Sequence, residues 1–181
     1  MHGEALKMLN IDHCYVKYPK DLYSCSALII PGGESSSFSK LISKNNLLDC
    51  LKDFAEKKPV FGTCAGLIIL SKINTPLVKG LGILDIDIER NGWGTQINSF
   101  KHNIFLPDQC NSKFNAVFIR APRITNINDN NIKILSSLNG EPVLIQKKKC
   151  LGATFHPELT SNLTIHKYFI EMIDEKIIRK S

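Results

Sequence analysis

The chain has 181 residues, 43% of them apolar and 22% charged, with a formal charge of +6, which suits one globular domain with a substantial core. No apolar run approaches the roughly 20 residues of a membrane span, and Met1-His2-Gly3-Glu4 lacks the basic and apolar regions of a secretory signal. The positive charges are scattered, and their densest run, Lys147-Lys148-Lys149, falls where a turn is expected, so neither a membrane nor a nucleic acid is expected as partner.

In chain order, Glu4 to Leu9 reads as a helix with Ala5, Leu6 and Leu9 apolar, stopped near Asn10. His13-Cys14-Tyr15-Val16 reads as a short strand closed by Tyr18-Pro19. Ala27 to Ile30 is an all-apolar strand of the kind a parallel sheet buries on both faces, and it ends at Pro31-Gly32-Gly33. Phe38 to Lys57 has helical apolar spacing, with a break near Asn45-Asn46. Pro59-Val60-Phe61 is a buried strand running into Gly62-Thr63-Cys64-Ala65-Gly66 and a helix from Leu67 to Lys72. This order of strand, helix, strand, helix predicts an α/β layered fold.

The second half is richer in strands. Ile83 to Glu89 alternates, with Ile86 and Ile88 on one face and Asp85, Asp87 and Glu89 on the other. Ala116 to Arg120 is a further strand, stopped by Ala121-Pro122. Ile132 to Leu138 and Val143 to Lys147 form a hairpin around Asn139-Gly140. A last strand, Leu151 to Phe155, ends at His156-Pro157, and Ile165, Phe169, Met172 and Ile173 stripe a C-terminal helix. No repeat or linker interrupts the chain, so residues 1–181 read as a single domain.

The six cysteines contain no C-x-x-C pair, which argues against zinc and against a dithiol redox couple. No metal or cofactor is expected, and reduced thiols point to the cytoplasm. Cys64 stands apart. Gly62-x-Cys64-x-Gly66 between a strand and a helix is the cysteine form of a nucleophile elbow. Its glycines permit a tight turn, and a thiol at a helix N-terminus is favoured as the nucleophilic thiolate. His156 and Glu158 supply a base and the carboxylate that orients it. Pro31-Gly32-Gly33-Glu34-Ser35 is a second strand-end glycine loop, whose N–H groups can face an oxyanion.

Together, Pro31–Ser35, Phe61–Gly66, Glu89-Arg90-Asn91, Val117–Pro122 and Phe155–Leu159 resemble the motifs of class I (triad) glutamine amidotransferases. Within these the chain is similar to the glutaminase subunits of pyridoxal 5′-phosphate synthases, over nearly its whole length. The resemblance implies a three-layer sandwich with a mixed, largely parallel central sheet. It implies that Cys64 forms a γ-glutamyl thioester, that His156 is the acid–base and that Glu158 orients it. The Gly33 and Ala65 N–H groups would form the oxyanion hole. Gly33, Glu34, Ser35, Arg90, Ile119 and Arg120 would line the site for L-glutamine, the arginines as fixed donors to its carboxylate. The ammonia would pass to a (β/α)8-barrel synthase subunit in a hetero-oligomer, whose docking wakes the glutaminase.

The chain departs from that pattern in two places. It begins inside a helix that the family precedes with a strand and a Leu-Gln-Gly turn, so a sheet lacking the family's first strand is expected, and with it an upstream start or an impaired product. Thr95 stands where the family has arginine, a change expected to weaken partner docking. The competing readings are a scaffold that binds the synthase without catalysis and a glutaminase serving another synthase. A cysteine protease or DJ-1-like protein would explain Cys64 but not Arg90, Arg120 and His156 together.

Overall fold

The computed structural model describes residues 1–90, 92, 99–106 and 113–173. Helix α1 (His2–Met8) is followed by a 3-10 turn at Pro19–Leu22. Next come β1 (Leu28–Ile30), α2 (Ser35–Lys44), α3 (Leu48–Lys57), β2 (Val60–Thr63) and α4 (Ala65–Leu70). Strands β3 (Ile86–Glu89), β4 (Ser99–Phe105), β5 (Lys113–Ile119), β6 (Arg123–Ile127), β7 (Lys133–Leu138), β8 (Glu141–Lys147) and β9 (Cys150–Ala153) follow, and then α5 (Thr164–Glu171).

The α/β fold with a mixed sheet is as the sequence led one to expect. The short apolar segments β1, β2 and β9 pair in parallel, and β8 and β7 continue the sheet antiparallel, giving the order β1-β2-β9-β8-β7. Successive side chains of a strand point to opposite faces. Val60 and Cys150 accordingly join one core cluster, with Leu51, Leu67, Leu70 and Leu84, while Phe61 and Leu151 join another, with Phe114, Phe118, Phe155 and Phe169. Helices α2, α3 and α4 contribute to the first cluster, and β4, β5 and α5 to the second. Full burial of each such aromatic or Leu side chain is worth about 1.5–3 kcal/mol.

Local turn chemistry follows the sequence. The break between α2 and α3 falls at Asn45-Asn46, where Asn46 takes φ 53°, a left-handed conformation that asparagine tolerates. The β7–β8 hairpin turns on Asn139 (φ 52°) and Gly140 (φ 83°), the two positive φ values of a type I′ turn. The lysine run lies at the β8–β9 turn, with Lys148 at φ 51°, and Lys147 pairs with Asp129 at 2.8 Å.

Three features differ from expectation. Residues 13–16 form no strand. Among the described residues β1 is the edge strand of the sheet and pairs with β2 alone. Strands β4 and β6 were not foreseen. Each forms a two-stranded antiparallel ribbon, β4 with β5 and β6 with β3, whose polar faces stay in solvent. No helix among the described residues is long and apolar enough to cross a membrane.

Candidate active site

Strand β2 delivers the chain to Cys64 and α4 leaves from it. Cys64 holds φ 48° and ψ −104°, a backbone conformation that costs a non-glycine residue on the order of 1–3 kcal/mol. Its N–H donates to the Ala153 carbonyl at 2.9 Å, locking the turn to the end of β9. The flanking glycines are required by contact. A Cβ on Gly62 would stand 2.5 Å from Leu70 Cδ1, and one on Gly66 would stand 2.0 Å from the Ile30 carbonyl oxygen. Cys64 is 5% exposed, and its Sγ faces the Ile119 carbonyl at 3.9 Å.

His156 arrives from the neighbouring strand. Its N–H donates to the Val117 carbonyl at 2.8 Å, and the 3-10 turn Pro157–Leu159 then brings Glu158 back beneath the ring. His156 Nδ1 lies 2.8 Å from Glu158 Oε1. A carboxylate only accepts, so Nδ1 carries the proton and Nε2 is left for Cys64. Burial disfavours the imidazolium, but Cys64 and Glu158 outweigh it and raise the His156 pKa to about 10. Burial also opposes the Glu158 carboxylate, yet the His156 hydrogen bond and electrostatic attraction to the His2 ring outweigh it and hold the pKa below its ordinary value. Gly32 closes over both groups. A Cβ there would meet His156 Cε1 at 2.3 Å and Cys64 Cβ at 3.4 Å.

Cys64, His156, Glu158 and the Gly32 loop therefore meet at one place. The Gly33 and Ala65 N–H groups have no hydrogen-bond partner among the described residues, and Gly33 (φ 140°) has open space above its Cα. Ser35 is buried at the start of α2, whereas the exposed Glu34 carboxylate accepts from the Ser36 and Ser37 hydroxyls. Ile119 is partly exposed, and Arg120 beside it is held at φ 46°. Arg90 follows the end of β3 in solvent, and neither arginine makes an ion pair with a described residue. Thr95 lies outside the described residues.

Sequence reasoning missed three neighbours. His2 Nε2 is 3.1 Å from Thr63 Oγ1 and 3.3 Å from Glu158 Oε2, and His2 Nδ1 is 3.0 Å from His166 Nε2. A histidine opening a helix and another within a helix carry no motif, so only the folded chain brings them together. No group of metal-ligating side chains is present among the described residues.

The profile of the SNO glutamine amidotransferase family matches residues 1–175. A pyridoxal 5′-phosphate synthase subunit PdxT from Francisella philomiragia is 42% identical over 171 residues, covering 94% of this chain and 91% of that protein. The protein of the same name from Thermotoga neapolitana is also 42% identical, over 174 residues and 95% and 92% of the two chains. Among solved structures, a glutamine amidotransferase superposes with a TM-score of 0.89 at 37% identity, covering 95% of this chain and 92% of the other. PurLQS from Thermotoga maritima, at 15% identity, TM-score 0.69 and 96% and 92% coverage, shares the fold.

Proposed function

The chain belongs to the SNO glutamine amidotransferase family, and on that premise we propose that it is the glutaminase subunit of a pyridoxal 5′-phosphate synthase. It hydrolyses L-glutamine and serves vitamin B6 biosynthesis. The observation that carries the reading is the meeting of Cys64, His156 and Glu158 beneath Gly32, at the end of a strained elbow.

The chemistry follows from these positions. His156 Nε2 takes the Cys64 proton, and the thiolate attacks the side-chain carbonyl carbon of glutamine. The oxyanion is met by the Gly33 and Ala65 N–H groups, each such donor being worth on the order of a hundredfold or more in rate. The imidazolium, steadied by Glu158, protonates the departing nitrogen, and ammonia leaves behind a γ-glutamyl thioester. Water then adds, His156 accepts its proton, and collapse releases glutamate and restores the Cys64 thiol. Gly33, Glu34, Ser35, Arg90, Ile119 and Arg120 line the glutamine site, the two guanidinium groups, which make no ion pair among the described residues, holding its α-carboxylate.

The ammonia passes to a (β/α)8-barrel synthase subunit in a hetero-oligomer. One catalytic domain spans the chain, and the free thiols suit the cytoplasm. Ammonia release from glutamine, measured with and without the synthase subunit, tests the proposal. Partner-stimulated release that Cys64→Ala abolishes is expected. Its absence would assign the chain to a scaffold role, and stimulation by a different synthase would change the pathway.

A further inference from the structure

Glu158 has two oxygens and His156 uses one of them. Oε2 is buried and has no aligned hydrogen bond among the described residues, and His2 Nε2 stands 3.3 Å from it. The side chains on both sides are almost fully enclosed, His2 at 11% exposure and Glu158 at 7%. Thr63 and His166, which hold His2 from its other sides, have no exposure at all. Three elements distant in sequence thus converge on the carboxylate: α1 with His2, β2 with Thr63 and α5 with His166.

Proton bookkeeping gives the chain of contacts a direction. Glu158 can only accept, and Thr63 Oγ1 can accept, so the proton of His2 belongs on Nε2, between them. His2 Nδ1 is then an acceptor for the Nε2–H of His166, leaving His166 Nδ1 as a buried nitrogen without a partner among the described residues. Both imidazole protons thus sit on Nε2, that of His166 given to His2 and that of His2 to the Thr63 hydroxyl, with Glu158 Oε2 3.3 Å from the same nitrogen. Burial is the main force lowering both histidines, His166 to about 4, so they meet the carboxylate as neutral dipoles.

We infer that His2 is a positioning residue for the glutaminase reaction: held by Thr63 and His166, it restrains Glu158 Oε2 so that Oε1 stays on His156 Nδ1. This rests on the glutaminase reading above. Outer partners that orient metal-bound histidines contribute about 10–100-fold, and a partner of the carboxylate that orients His156 is expected to act on a comparable scale. The titratable groups around Glu158 are His156 and His2, with His166 and the terminal amine behind His2 and Cys64 beyond His156.

The experiment compares wild type, Cys64→Ala, His2→Ala and His2→Gln in the complex with the synthase subunit. His2→Gln keeps an N–H near the position of Nε2. Expected for His2→Ala is a kcat reduced on the order of tenfold to a hundredfold with KM for glutamine unchanged. Its alkaline limb should also fall at lower pH, because a loosened Glu158 supports the imidazolium less. His2→Gln should recover most of the rate. Wild-type kcat and pH profile in His2→Ala, or a loss confined to KM, would overturn the inference. Wild type lacking Cys64-dependent activity would instead sink the glutaminase reading. Histidine ¹⁵N NMR at pH 7 tests the arrangement apart from activity and folding of the variants: His2 and His166 should both read as neutral Nε2–H tautomers, and a His2 titrating freely near its ordinary value would reject it.

Discussion

Gly66 lies so close to Ile30 that a single added carbon would sit 2.0 Å from the Ile30 carbonyl oxygen and 2.8 Å from its carbonyl carbon. The first turn of α4 thereby rests directly on the backbone of β1, and that contact sets the height of Cys64 above the sheet. The obstacle is main chain and cannot swing aside. Gly66→Ala should therefore lower stability by about 1–3 kcal/mol, the usual cost of overpacking. Thermal unfolding of purified protein checks this, and an unchanged melting temperature would contradict it.

Gly32→Ala separates activity from stability. The added carbon meets the His156 ring at 2.3 Å and not buried backbone, so the fold can survive while the imidazole is pushed off line. A displacement of about 1 Å in a reacting group can cost on the order of a hundredfold. Glutaminase turnover should drop by roughly that factor with a nearly unchanged melting temperature. Equal losses in both would mean that the loop carries stability instead.

Stability should peak near neutral pH. His166 stays uncharged in the fold down to about 4, whereas an unfolded histidine takes its proton near 6.5. The unfolded chain thus gains the proton first, and stability falls as pH drops through that window. Glu158, lowered from 4.5, adds to the loss at the acid end of the same range. His156 acts in the opposite direction. Raised to about 10, its contribution is complete below 6.5 and fades as pH rises toward 10. Denaturation midpoints at pH 5, 7 and 9 should be highest at 7, and His166→Asn should flatten the acid side. A midpoint constant from pH 7 to 4.5 would exclude this role for His166.

The sequence made the elbow legible because its constraints are local. Gly62, Cys64 and Gly66 lie within five consecutive positions, and the apolar run before them has one use in a sheet. The Asn139-Gly140 turn was legible for the same reason. His156 and Glu158 could be paired with Cys64 through chemistry alone, since a thiol nucleophile needs a base and the base needs an anchor. Strands β4 and β6 were hidden because Lys101-His102-Asn103 and Thr125-Asn126 face water and interrupt the apolar pattern. His2 was hidden by distance. It reaches Thr63 across 61 positions and His166 across 164, and nothing near it in the sequence announces either contact. Residues 13–16 misled in the opposite way, since β-propensity is a weak, context-dependent preference that does not by itself place a segment in a sheet.

The strained turn at Cys64 also sets the thiol against the stability of the fold. With φ at 48° and a side chain beyond Cα, the position suits glycine better than cysteine, and glycine at such a site commonly adds stability. Cys64→Gly is therefore expected to melt no lower than wild type although it removes the thiol. The backbone at this position holds a sulfur in place at a cost in stability to the fold.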